Sequence, residues 1–142
     1  LSKIDNINFV YKPHTRNPRV DVDKKLLDNC YNAELIPSMM LSKWADVGIV
    51  FGSSIGFQLL IDDVTIVVPS FVHTNSTIYE KYDVAITATN KEELSDYLLK
   101  SPIELSSRID PQKIDHFIKR IIYGNQSYHG MMTSYVNEII NH

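Results

Sequence analysis

The sequence predicts an α/β fold, a parallel sheet with helices on both faces and a helical C-terminal end. Three observations carry this. Residues 47–51, 64–68 and 83–87 are short, nearly continuous apolar or β-branched runs, as expected of strands covered on both sides. Residues 54–61, apolar at Ile55, Leu59 and Leu60, supply a helix between the first two, so strand, Gly-Ser turn, helix and strand form a right-handed βαβ unit. Toward the C-terminus, apolar residues recur at helical spacing.

The remaining elements follow in order. Ile7-Asn8-Phe9-Val10-Tyr11 alternates as a strand and stops at Lys12-Pro13, where proline blocks the ladder. Residues 23–31 and 37–45 read as short helices, the second with Pro37 in its first turn. Asn75 or Ser76 is suited to cap a helix starting near 76. Asn90 caps the next, Glu93 completes a capping box, and Leu94, Tyr97 and Leu98 face inward. Asp110-Pro111 opens another helix, whose stripe is Ile114, Phe117, Ile118, Ile121 and Ile122; Gly124 and Asn125 end it. A last helix carries Met131, Met132, Tyr135, Val136, Ile139 and Ile140 on one face. The whole reads as one domain over 1–142, an α/β core to residue 100 followed by C-terminal helices.

Composition narrows the function. At 142 residues, 44% hydrophobic and 22% charged, the chain is globular and able to bury a core. A formal charge of −3 argues against a broad nucleic-acid surface. One cysteine, Cys30, excludes an internal disulfide, fits a reducing compartment, and reads as a small apolar thiol. The uncharged stretch 47–61 contains three glycines and two serines and is shorter than the ~20 apolar residues of a membrane span. No signal peptide is visible, and an opening on Leu1 is that expected of a domain cut from a longer protein.

In open parallel sheets, ligands bind beyond the carboxyl ends of the strands, so the segments there are the candidates for chemistry. The first, 12–19, gathers Lys12, Arg16, Arg19 and His14; its cations can pair with phosphate, or it is a solvated basic loop. The second, 51–58, offers Gly52 for close backbone approach, Ser53 and Ser54 at a helix start, and Gln58 one turn further on, within reach of a sugar hydroxyl. Helix capping by Ser53 explains it equally well. The third, 69–79, brings Asn75, Ser76 and Thr77, with Phe71 able to stack on a ring; its plainer reading is a polar capping loop. Placed at one edge of one sheet, the three segments point jointly to a phosphate-containing, nucleotide-like ligand. The histidine spacing gives no zinc motif, no GxSxG elbow appears, and no paired acids stand out. The sequons Asn75-Ser76-Thr77 and Asn125-Gln126-Ser127 are no more than chance yields.

A strand ending in Lys12-Pro13-His14, then one running into Gly52-Ser53-Ser54-Ile55-Gly56-Phe57-Gln58-Leu59-Leu60, then one into a proline-bearing loop, resembles the C-terminal half of GT-B glycosyltransferases. The capsule and lipopolysaccharide enzymes, Kdo transferase-like and CDP-glycerol glycerophosphotransferase-like, are the most similar groups. Their first motif usually reads Lys-Pro-His-Pro, where this chain has Thr15; their second resembles Ser-Ser-x-Gly-x-Glu-Ala-Leu, where it has Gln58 and Leu59. The resemblance spans roughly residues 5–100. It implies a Rossmann-like donor-binding domain and a nucleotide-sugar as substrate, with no other cofactor and no metal. Lys12 and His14 would then lie near the donor phosphates, Ser53 and Ser54 would bind phosphate, and position 58 would contact the ribose. The acceptor site and catalytic base would come from an N-terminal domain outside this sequence. A cytoplasmic protein, meeting the inner face of the membrane through the full-length chain, is the expected setting. A sugar-nucleotide epimerase of similar build and a non-catalytic binding or interaction module are the alternatives.

Overall fold

The three apolar runs do form strands of one sheet, and every strand pair in it is parallel. The computed structural model describes residues 7–13, 30–124 and Gly130. Contacts divide the chain into two compact units, 1–44 and 45–142, where the sequence reads as a single domain.

In the first unit, β1 (Phe9–Tyr11) pairs in parallel with β2 (Cys30–Asn32), Phe9 opposite Cys30 and Tyr11 opposite Asn32. The helix expected over 23–31 is therefore corrected at its end: residues 30 and 31 are strand, and 23–29 lie outside the described residues. The Asn32 side chain accepts from the Glu34 N–H and turns the chain out of β2. Helix α1 (Ser38–Trp44) follows Pro37 as expected. Cys30 is half-buried, and burial raises its thiol above the ordinary value.

The second unit holds β3 (Val47–Ile49), α2 (Ile55–Ile61), β4 (Thr65–Pro69), α3 (Ile78–Lys81), β5 (Ile86–Ala88), α4 (Lys91–Leu98), α5 (Pro102–Ser106) and α6 (Pro111–Phe117). The sheet order is β3-β4-β5. All five residues of β4 are buried. Its alternation feeds two cores: Ile66 and Val68 join Leu59 and Leu60 of α2, Tyr79 of α3 and Phe117 of α6, while Val67 joins Leu105 and Ile109 beside Leu94 and Tyr97 of α4. Helices thus cover both faces, which is why the strand reads as an unbroken apolar run.

Strand bounds differ from expectation for one repeated reason. Asp63 and Asp83 adopt left-handed φ values of 58° and 52°. Each is the residue after a helix cap, where the next N–H bonds back to the helix: Val64 to the Leu59 carbonyl at 2.9 Å, and Val84 to that of Tyr79 at 3.0 Å. These are Schellman endings with aspartate in the usual glycine position. They delay β4 to Thr65 and β5 to Ile86, so 83–85 are not strand. At the other end, β3 stops at Ile49, because Gly52 turns the chain at φ +68°.

The helical half holds α5, which the sequence reading passed over; Ser101 caps it, Glu104 completes the box and Pro102 sits in the first turn. At α4, Asn90 caps as expected, but Glu93 reaches past it to the Thr89 N–H and hydroxyl. The α6 stripe continues as a π-helical turn over Ile118–Ile122, with Ile114, Ile118 and Ile121 against the first core, and Gly124 closes it at φ +58°. Asn125 and the helix expected from Met131 lie outside the described residues.

Candidate functional site

Two of the three predicted segments come together at the carboxyl edge of the β3-β4-β5 sheet. Val50 still bonds to the Val67 carbonyl at 3.0 Å, and Gly52 then reverses the chain into Ser53 and Ser54. A Cβ built on Gly52 would lie 3.7 Å from Thr77 Cγ2, so the turn abuts the β4–α3 loop. The Tyr79 hydroxyl donates to the Ser53 carbonyl at 2.7 Å and ties the two loops together.

Ser54, not Ser53, is the cap residue of α2, and it lies in helical geometry with no side-chain capping bond. The turn closes through main chain instead, with the Gly56 N–H bonding to the Ser53 carbonyl and the Phe57 N–H to that of Ser54, both at 3.1 Å. The explanation of these serines as side-chain caps therefore does not hold here. Ser54 is exposed and Ser53 half-exposed, leaving hydroxyls at the edge. Because α2 has only seven residues, its dipole is short, and hydroxyls and turn amides are the donors that matter.

The second glycine of the segment has a packing cause. A Cβ on Gly56 would meet the Tyr79 ring, 2.6 Å from its hydroxyl oxygen. Tyr79 is 1% exposed, and burial pushes its phenol up to about 12, so it acts as a neutral donor. Sequence reasoning missed this residue; a tyrosine one position into a short helix gives no signal of which carbonyl it will meet.

The β4–α3 loop is equally ordered. The Ser70 hydroxyl donates to the Ala88 carbonyl at 3.1 Å and anchors the turn to the end of β5. A His73 ring nitrogen, Nδ1, lies 2.6 Å from the Asn75 carbonyl oxygen, and Nε2 lies 4.0 Å from Glu80 Oε2. Thr77, rather than Asn75 or Ser76, caps α3, with its hydroxyl accepting from the Glu80 N–H and the Glu80 carboxylate accepting from the Thr77 N–H at 2.6 Å. Extended backbone at Thr77 and an acid three residues on decide the cap. That leaves Asn75 and Ser76 exposed beside the turn, while the Thr77 hydroxyl is committed to the helix.

Other predicted residues are engaged elsewhere. The Gln58 amide donates to Asp62 Oδ2 at 3.0 Å along α2. Lys12 Nζ donates to the carbonyls of Ala33 at 3.1 Å and Glu34 at 2.6 Å, within the first unit. The expectation that all three segments share one sheet edge is corrected, because β1 pairs with β2 in a separate sheet. His14 and Arg16 lie outside the described residues. Residues 50–54 and 69–77 contain no Lys, Arg, Asp or Glu, so hydroxyl, amide and main-chain groups dominate the edge, with the Glu80 carboxylate turned onto the Thr77 N–H beside it.

Among the described residues, no cluster of three or more His, Cys, Asp or Glu side chains could hold a metal ion. No helix among them is long and apolar enough to cross a membrane. No protein-family model matches the chain, and no curated protein and no solved structure matches it.

Proposed function

We propose that the chain is the donor-binding part of a glycosyltransferase of surface-polysaccharide synthesis, taking a nucleotide-sugar at the carboxyl edge of the β3-β4-β5 sheet. One observation carries the reading: the Gly52–Ser54 turn, with hydroxyls unused in capping, abuts the loop presenting Asn75 and Ser76. The resemblance of the Lys12-Pro13-His14 and Gly52–Leu60 segments to GT-B donor domains supports it. In such a transfer, the bond from the anomeric carbon to the nucleotide phosphate breaks and one to an acceptor hydroxyl forms. Here the Ser53 and Ser54 hydroxyls would hydrogen-bond the departing phosphate. The acceptor, its domain and the catalytic base come from elsewhere in this reading, as does contact with the membrane face.

Titration of CMP, CDP, UDP and GDP, followed by amide NMR, tests it. At least one binds at millimolar concentration or tighter, shifting the amides of residues 52–54 and 75–77. Ser53→Ala and Ser54→Ala weaken that binding without lowering the thermal midpoint. Absence of binding by all four nucleotides overturns the reading.

A non-catalytic interaction module is the second reading, favoured by the first unit, where Tyr31, Leu35, Met39, Met40 and Trp44 are all exposed. Concentration-dependent sedimentation of a protein that binds no nucleotide would support it.

A further inference from the structure

Two large aromatic side chains stand on the same edge as the serine turn without being buried. Phe51 is 62% exposed and Phe71 36% exposed. A single exposed phenylalanine needs no explanation, but these two follow adjacent parallel strands. The register sets Ile49 opposite Val67, so Phe51 continues level with Pro69, two residues before Phe71. Neighbouring strands run about 4.8 Å apart, which places both residues at one end of the same strand pair. Each is flanked by residues that are hydrogen-bonded to the fold. Phe51 sits between Val50, bonded to β4, and Ser53, whose carbonyl is held by Tyr79. Phe71 sits in a 3-10 turn over Ser70–Val72, which the Ser70 hydroxyl ties to β5. Rigid aromatic surface lowers the ordering cost of binding a flat ring.

Resting on the nucleotide reading above, we propose that Phe51 and Phe71 are the base platform of the site, the nucleobase covering one or both rings while the serine turn takes the phosphate end. The edge fits this division. Its neutral hydroxyl and amide groups suit ribose and phosphate oxygens, and the exposed rings are the apolar surface that a base would cover. Stacking is tolerant of base identity, since every base has a π-face, so the platform supplies affinity more than choice among bases.

Calorimetric titration of the whole chain with the tightest of CMP, CDP, UDP and GDP, and in parallel with ribose 5-phosphate, tests the proposal. Phe51→Ala or Phe71→Ala weakens nucleotide binding about fivefold or more and leaves ribose 5-phosphate unchanged. Phe→Tyr at the same positions restores it. Phe51 is largely exposed, so Phe51→Ala keeps the parent thermal midpoint; Phe71, at 36% exposure, is also changed to Leu, which keeps apolar packing while removing the ring. Nucleotide binding unchanged in both alanine variants, or an equal loss for ribose 5-phosphate, overturns the platform while the donor site stands. A parent chain that binds no nucleotide overturns the donor site and the platform with it.

Discussion

The Tyr79 hydroxyl donates to the Ser53 carbonyl across 2.7 Å, joining the start of α3 to the turn that follows β3. Tyr79→Phe keeps the ring in the core and removes only this bond. A loss of about 1 kcal/mol in urea unfolding is expected at neutral pH. The alkaline limb adds a sign. Burial raises the phenol from 10.0 to about 12 in the folded chain, so the unfolded chain releases its proton first. Stability from the neutral phenol is complete below about pH 10 and falls as pH rises toward about 12. The gap between parent and Tyr79→Phe should therefore narrow over that range. A gap that stays constant would place the Tyr79 hydroxyl in a solvated setting instead.

Gly56 exists for the same ring. A Cβ there would lie 2.6 Å from the Tyr79 oxygen, and the ring is fixed within the core. Gly56→Ala should cost about 1–3 kcal/mol, the range for overpacking. Gly48→Ala is the comparison: its Cβ would meet Leu59 Cδ1 at 2.5 Å, the far end of an aliphatic side chain with two rotatable bonds, where Tyr79 presents a stiff ring. Thermal midpoints should rank Gly56→Ala below Gly48→Ala. The reverse order would mean that Tyr79 yields more easily than Leu59.

The sheet and its caps are legible in the sequence, whereas the roles of Gly52 and Gly56 are not. The run 64–68 announces β4 because both faces are covered, and period-two packing into two cores leaves no polar position. The caps at Asn90 and Asp110 are legible as residue types at fixed offsets; the Ser101-Pro102-Ile103-Glu104 box of α5 has the same form and is not among the expected elements. Gly52 and Gly56 looked like one ligand motif. One is a turn residue and the other a packing contact made by a tyrosine 23 positions later, information that local sequence does not hold. Gln58 likewise looked available for a ribose, yet its nearest acceptor is Asp62, one helical turn on. The placement of β1 beside β2 in a separate sheet was hidden too, because three-residue strands carry no mark of their partner.

Asp63 holds φ at 58° to end α2, a conformation that glycine adopts without strain. Asp63→Gly should stabilise the protein by a few tenths to about 1 kcal/mol, and Asp63→Ala should destabilise it by about 1 kcal/mol. Asp83→Gly is the less clean variant, since Asp83 also accepts from Lys113 at 2.9 Å, though an exposed ion pair adds little. Chemical unfolding of the two Asp63 variants checks the point. Equal stability of glycine and alanine there would show that the left-handed ending is not retained in solution.

Acid stability should depend on two helix starts. Glu93 is held below the usual carboxylate range by hydrogen bonds from the Thr89 N–H and hydroxyl, and Glu104 by those from Ser101. Their folded values lie below 4.5, so their contribution is complete above that pH and is lost as pH falls through the lower folded values. A Glu93→Gln, Glu104→Gln double variant should show a flatter fall in urea midpoint below about pH 4.5 than the parent. An unchanged acid slope would assign acid lability to other carboxylates.

Lys12 divides two roles that the resemblance and the geometry assign differently. As part of Lys12-Pro13-His14 it would neutralise donor phosphate; in the structure its ammonium donates to the carbonyls of Ala33 and Glu34 where the chain leaves β2. Two of its three N–H donors are thereby committed to main chain, and the Ala33 N–H bonds back to Tyr11 at 2.9 Å, closing the β1–β2 pair. Lys12→Met keeps the aliphatic stem and removes the donors. Its expected result is faster amide exchange at Tyr11 and Ala33 and a loss of about 1 kcal/mol in local stability. Nucleotide affinity should change by less than about threefold, because a lysine already paired with carbonyls has little left to give a phosphate. Unchanged exchange together with a tenfold or larger loss of nucleotide binding would reverse the assignment and return Lys12 to the donor site.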